Sequence, residues 1–372
     1  MLRQDDYAIL VGVADYPGAG FAHLEGPPND VVLLRKWLTA EDGGDMPEAN
    51  VREIVSPQPA PEPRPTRYPP TKEDVWDVLG SIVFDASQRI IQRLDSRLYL
   101  LFSGHGFSNF SEDLNHASLY TANGHRNAPF NVCGTKMAAW CANAAAFGEI
   151  ILVMDCCRDQ EISALADEPE FRRTYDSKSK GVKRLEVYAV PYDGKAQERS
   201  FKVEDERKVH GILTYAFVRA LQCAPLIDGK RTSYAVKTFL EGGWGSIVGA
   251  DRVEAPEFVL PKRGDIVFSV SEPRSLPVHL VFSPPLAETA RLSVRDGSQV
   301  SVLEVQLDPV AKQSVVQHVV TGVFEQPTAF DGTGVSLQLK AGIYEAMLTR
   351  AGKPDVSTFV SSLGDQDAIL QL

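Results

Sequence analysis

Two thiols and an imidazole stand at the ends of two apolar runs, and together such groups can break an acyl bond. Ile150 to Met154 is apolar throughout and gives way to Asp155-Cys156-Cys157. Leu98-Tyr-Leu-Leu-Phe102 has the same form and gives way to Ser103-Gly104-His105-Gly106. A cysteine attacks as its thiolate, and a histidine within reach supplies the base. Taken alone, a cysteine behind a buried strand is more often an inert core thiol. The chemistry therefore depends on one edge of the fold receiving both side chains.

The surrounding elements indicate how that happens. A short unbroken apolar run reads as a strand buried on both faces, as in the middle of a parallel sheet. Such sheets bind ligands just past the carboxyl ends of their strands. Tyr7 to Val13 reads as another buried strand and Val51 to Val55 as a short one. Val31, Val32, Leu34, Trp37 and Leu38 fall at helical spacing behind Asn29 or Asp30 as cap. Thr71 caps a second predicted helix through Val75, Val78, Leu79 and Ile82, and a third surrounds Lys136 to Ala146. Strand and helix alternate, so the first 150 residues read as doubly wound α/β with a mostly parallel sheet.

Other stretches lack a period. Residues 57–70 hold seven prolines and read as a stiff exposed loop. Residues 107–131 read as polar loop. Residues 158–184 are charged and aperiodic, a long mobile loop of the kind that is usually functional or disordered. Leu185 to Val190 resumes as a strand, Gly211 to Leu221 and Tyr234 to Leu240 as helices, and Asp265 to Val270 as the last strand of this sheet. From about residue 273 six or so short β segments, split by Gly, Pro or Asp, predict a small antiparallel sandwich. Two domains follow, 1–272 and 273–372. Leu339-Lys-Ala-Gly-Ile-Tyr-Glu-Ala-Met-Leu348 resembles the closing hairpin of immunoglobulin-like modules.

Ser-Gly-His-Gly after one apolar strand and Asp-X-Cys after the next resemble the caspase and metacaspase family of cysteine peptidases. His105 precedes Cys157 by about 50 residues, as in that family. Tyr7-Ala-Ile-Leu-Val-Gly-Val-Ala-Asp-Tyr16 resembles the family's first strand. Leu24-Glu-Gly-Pro-Pro-Asn29-Asp30 resembles its Leu-X-Gly-Cys-X-Asn-Asp, with Pro27 in place of the cysteine. Gln197-Glu198 and Gly211-Ile-Leu-Thr-Tyr-Ala-Phe217 resemble later segments, so the likeness runs over roughly residues 5 to 270.

The resemblance implies a caspase-like sandwich. In it Cys157 is the nucleophile, two residues after the aspartate, and His105 protonates the leaving amine. The N–H groups of Gly106 and Cys157 form the oxyanion hole. Metacaspases use carboxylates in the primary pocket to hold arginine or lysine; Asp30 and Asp155 match two of these, and Ser103 a third, polar position. Without the family register, Asp30 reads equally as a helix cap and Asp155 as a strand-end hydrogen bonder. Arg158 stands where metacaspases commonly have histidine, a change expected to be tolerated. The 158–184 loop follows the nucleophile like the processed linker of caspases. It offers Arg172, Arg173, Lys178, Lys180, Lys183 and Arg184 to autocleavage, and a solvated charged linker is the alternative.

The expected function is thus a cysteine endopeptidase acting on protein or peptide substrates at Arg or Lys, with an activating protein partner as a further expectation. The resemblance implies regulated cell death or antiphage defence. The alternative is a catalytically silent scaffold binding partners through the C-terminal β-domain, against which intact His105 and Cys157 argue. Net charge −11 argues against nucleic acid. No run of 18 apolar residues spans a membrane, and no secretory leader is visible. An odd count of five cysteines without framework spacing fits a reducing, cytoplasmic compartment. No zinc or EF-hand spacing occurs, so no cofactor or metal is expected. Some metacaspases need calcium, which is not predicted here. His116, His125 and His210 read as single surface or strand-edge residues without a role.

Overall fold

The apolar runs lie side by side in one sheet. The computed structural model describes residues 4–56, 68–111, 114–124, 128–159, 165–203, 206–249, 253–296, 300–311, 313–319, 330, 332–340, 342–362 and 368–372. Most of the proline-rich stretch 57–70 falls outside these. The chain forms two compact units, one of residues 1–221, 226–241 and 252–271, the other of residues 222–225, 242–251 and 272–372.

In chain order the elements are strand β1 (Tyr7–Gly12), helix α1 (Gly26–Thr39), β2 (Val51–Val55), α2 (Lys72–Val83), β3 (Arg93–Ser103), β4 (Gly106–Ser111), β5 (Leu114–Tyr120), β6 (Asn131–Cys133), α3 (Gly134–Asn143), β7 (Phe147–Asp155), β8 (Lys183–Tyr188), β9 (Glu198–Val203), β10 (Glu206–Gly211), α4 (Ile212–Cys223), β11 (Arg231–Thr232), α5 (Ser233–Val248), β12 (Glu257–Val259) and β13 (Val267–Ser269). The main sheet has the order β2-β1-β3-β7-β8-β12. All pairs are parallel except β12 on β8. β3 and β7 are central, and residues 98–103 and 150–155 are buried without a break. That is why these strands are continuous in apolar character rather than alternating.

Three expectations change. Helix α1 begins at Gly26, because Pro27 and Pro28 lie in its first turn where no amide bond is lost. Asp30 is therefore inside the helix and not its cap. The Thr71 cap does form, as a capping box with Asp74. Among its described residues the stretch 107–131 is loop only in part: β4, β5 and β6 form a three-stranded antiparallel sheet. The last strand of the main sheet is β12, whereas among the described residues β13 pairs only with β11.

The second unit contains β14 (Leu276–Ser283), β15 (Ala290–Arg295), β16 (Ser301–Asp308), β17 (Gln313–Val319), β18 (Gly334–Leu339), β19 (Ile343–Arg350), β20 (Val356–Ser361) and β21 (Ala368–Gln371). They form two sheets, β18-β14-β21 and β17-β16-β15-β19-β20. Inward residues such as Leu280, Phe282, Leu292, Val305 and Leu348 make one apolar core. β18 and β19 belong to different sheets, so residues 339–348 change sheets and form no hairpin.

Candidate active site

Register decides what meets at the sheet edge. Ser103, the last residue of β3, pairs with Asp155, the last residue of β7. The Gly104 N–H donates to the Asp155 carbonyl at 3.2 Å. His105 and Cys157 each lie two residues past that pair, so the two strands deliver them at the same level. Tyr16 links them. Its hydroxyl accepts the His105 N–H at 2.8 Å. Burial pushes that hydroxyl well above its ordinary pKa, and the Cys156 and Cys157 thiols add to the effect. Gly104 has φ of +150°, and a Cβ there would run into the Tyr16 hydroxyl and lie 2.9 Å from the Val13 carbonyl.

The imidazole is held in one orientation. The His105 ring packs edge-on to Tyr16 at 5.1 Å and beside Phe21 at 5.0 Å between centroids. Its Nε2 lies 3.0 Å from the Ala22 carbonyl. A carbonyl only accepts, so Nε2 carries the proton and Nδ1 is the basic atom of the neutral ring.

The two thiols differ in environment. Cys156 is fully buried, and a carbon on Gly106 would sit 2.5 Å from its sulfur. Cys157 is half-buried, with its thiol 3.8 Å from the Ala196 carbonyl. Burial raises the pKa of both, so each is a thiol until a base takes its proton. Cys157 is the more exposed of the two.

The edge of β4 completes the group. The Tyr120 N–H donates to the His105 carbonyl at 2.9 Å, which makes the facing pair Gly106–Leu119 the non-hydrogen-bonded kind. The Gly106 N–H therefore points away from β5. The Ser108 N–H points the same way and donates to the Asp159 carbonyl at 3.0 Å. That outer edge faces the turn carrying Cys157.

Asp30, Ser103 and Asp155 also come together. Asp30 accepts the Ser103 hydroxyl at 2.7 Å and the Gly211 N–H at 3.0 Å. Asp155 accepts the Thr214 N–H at 2.8 Å and its hydroxyl at 2.7 Å. Burial pushes Asp30 well above the usual carboxylate range, against those two donors. Burial, with Asp30 beside it, pushes Asp155 up to about 7.

Some functional-looking residues were not legible as such. His210 is buried with Nδ1 3.1 Å from Asp30, and His116 is buried as well; neither is a surface histidine. His125 lies outside the described residues. Glu198 reaches back to the start of α1 and accepts the Gly26 N–H at 2.9 Å. Arg158 is fully buried. Its guanidinium meets Glu257 at 2.5 Å, the Val190 carbonyl at 3.2 Å and the Ser108 hydroxyl at 3.4 Å, and lies 4.2 Å from the Tyr188 ring centroid. Its backbone pairs with Gly194 and Asp193. An arginine next to a cysteine gives no sequence sign of such burial.

The described part of 158–184 is docked rather than loose. Phe171 packs against Trp76, Phe84 and Trp140 at 4.9–5.2 Å. Lys136 meets Glu168, and Lys72 meets Asp167 and Glu170. Arg172, Arg173, Lys178 and Lys180 are exposed, while Lys183 and Arg184 already belong to β8. Residues 160–164 lie outside the description.

No family model matches the chain. Over 105 residues it is 28% identical to a probable protease from a Desulfuromonadales bacterium, a match spanning 28% of this chain and 12% of that relative's length. Two solved structures give a likeness of fold alone. Caspase-1 from Spodoptera frugiperda has TM-score 0.40 and 9% identity, over 73% of this chain and 92% of that one. The structure of pro-caspase-1 (pro-sf-caspase-1) has TM-score 0.37 and 12% identity, over 70% and 88%. No helix among the described residues is long and apolar enough to cross a membrane.

Proposed function

We propose that the chain is a cysteine endopeptidase that cleaves after arginine or lysine, with Cys157 as nucleophile and His105 as its base. One observation carries this reading: His105 and Cys157 stand two residues past the same register pair on adjacent central strands. His105 Nδ1 takes the thiol proton as sulfur attacks the scissile carbonyl, then gives it to the leaving amine. Water, deprotonated by the same ring, releases the acyl group. The Gly106 and Cys157 N–H groups receive the oxyanion, each contributing about 3 kcal/mol. Asp30, Ser103 and Asp155 at the neighbouring end support a pocket for a basic side chain. The curated relative's description as a protease agrees with the reaction class.

Peptides bearing a fluorogenic amide after Arg, Lys or Asp test it. Turnover is expected with the first two, and His105→Ala should lower it about a thousandfold. No turnover of any of the three by the wild-type chain would leave the fold as a binding scaffold.

Autocleavage belongs to the same proposal, and exposure narrows its sites to Arg172, Arg173, Lys178 and Lys180. The purified wild-type chain should contain a species cut after one of these, absent from Cys157→Ala. Identical intact masses for the two would remove autocleavage from the account.

A further inference from the structure

We infer that His210 reads the substrate side chain preceding the scissile bond: its Nε2 is the acceptor for an ammonium or guanidinium, and Asp30 positions the ring. The inference rests on the peptidase reading above and concerns how its pocket selects. Asp30 cannot meet a substrate cation directly. It is fully buried, and its oxygens already receive the Ser103 hydroxyl at 2.7 Å, the Gly211 N–H at 3.0 and 3.2 Å, and His210 Nδ1 at 3.1 Å. Asp155 is 5% exposed and holds both donors of Thr214 on one oxygen.

His210 differs, because its side chain is 3% exposed and its buried Nε2 has no hydrogen-bond partner among the described residues. A buried polar atom left unpaired is costly and needs a reason. Burial favours the neutral form of Asp30, and a substrate cation would hold it as the carboxylate, which accepts from the Ser103 hydroxyl, the Gly211 N–H and the ring alike. The ring proton then sits on Nδ1, and Nε2 is a bare lone pair whose complement is a donor. The charge around it agrees. Asp30, Asp155 and Glu198 act on this cluster, with Lys208 the cation nearest in effect. No lysine or arginine side chain pairs with Asp30 or Asp155 among the described residues. A cation brought by the substrate would balance the two buried carboxylates and satisfy Nε2 at once. The ring is closed off in this structure, so the β9–β10 hairpin must yield as the side chain arrives.

Matched peptides with arginine, its neutral isostere citrulline, lysine, its apolar analogue norleucine, or aspartate before the scissile bond give the test. The wild-type chain should prefer arginine to citrulline and lysine to norleucine by about tenfold or more in kcat/KM. In His210→Ala both ratios should fall to within about twofold of one. A structural role would lower both members of each pair together and leave the ratios standing. His210→Gln, which keeps an acceptor, should retain part of the preference, and it serves where alanine prevents folding, as read from thermal melting. Unchanged ratios in the His210 variants, beside a wild-type preference for Arg and Lys, overturn this inference alone. A wild-type preference for aspartate puts the proton on Nε2 and also overturns it. No hydrolysis of any peptide overturns the peptidase reading with it.

Discussion

Cys157→Ala is expected to lose peptide hydrolysis by at least about a thousandfold, whereas Cys156→Ala keeps it to within about tenfold. The two sulfurs are neighbours in sequence but not in circumstance. Cys156 is sealed beneath Gly106, where added carbon would stand 2.5 Å from its sulfur, so no scissile carbonyl can approach it. Removing it leaves a small void, worth about 1 kcal/mol of stability. Cys157 is half-buried, and its strand tip is level with His105. Its thiol is raised by burial, so it depends on proton transfer to the imidazole rather than on standing thiolate. Steady-state rates and mapping of the iodoacetamide adduct check this. If Cys156→Ala is the inactive variant, the nucleophile moves one residue back and the register argument fails.

Arg158→Met should lower stability by about 3 kcal/mol, or roughly 8 °C in melting temperature, and cut kcat more than KM. Glu257 is 40% exposed, so the ion pair itself supplies little of that. The larger share is the buried Val190 carbonyl and Ser108 hydroxyl that lose a donor, together with the contact over Tyr188. Because Arg158 follows the nucleophile directly, loosening it lets the Cys157 turn drift from the outer edge of β4. Arg158→Lys should recover little, since an ammonium lacks the rigid fork whose Nη1 meets Glu257 and Val190 while its Nε meets Ser108. Melting curves and separate kcat and KM values decide it. A variant that melts and turns over like the wild type would show that the turn holds itself.

The strands were legible because β1, β3 and β7 are buried on both faces, which only unbroken apolar runs can satisfy. The Ser-Gly-His-Gly and Asp-Cys-Cys ends were legible because polar residues halt those runs abruptly. β4 to β6 were missed because short strands carrying Ser, Asn and His look like loop until a partner strand is known. α1 was started too late because Asn29 and Asp30 look like caps, although the two prolines before them suit a first turn. The Ala22 carbonyl that fixes His105 could not be found, since every residue has one. His210 and Arg158 drew no attention because single charged or titratable residues usually lie outside, and only tertiary contact reveals otherwise.

The docking of Phe171 has one more consequence. If the chain is cut after Arg173, the aromatic anchor stays with the first piece and β8 with the second. Yet β8 runs between β7 and β12 in the main sheet, so the two polypeptides would still share one backbone lattice and one interior. The scission would free two new ends without parting the halves.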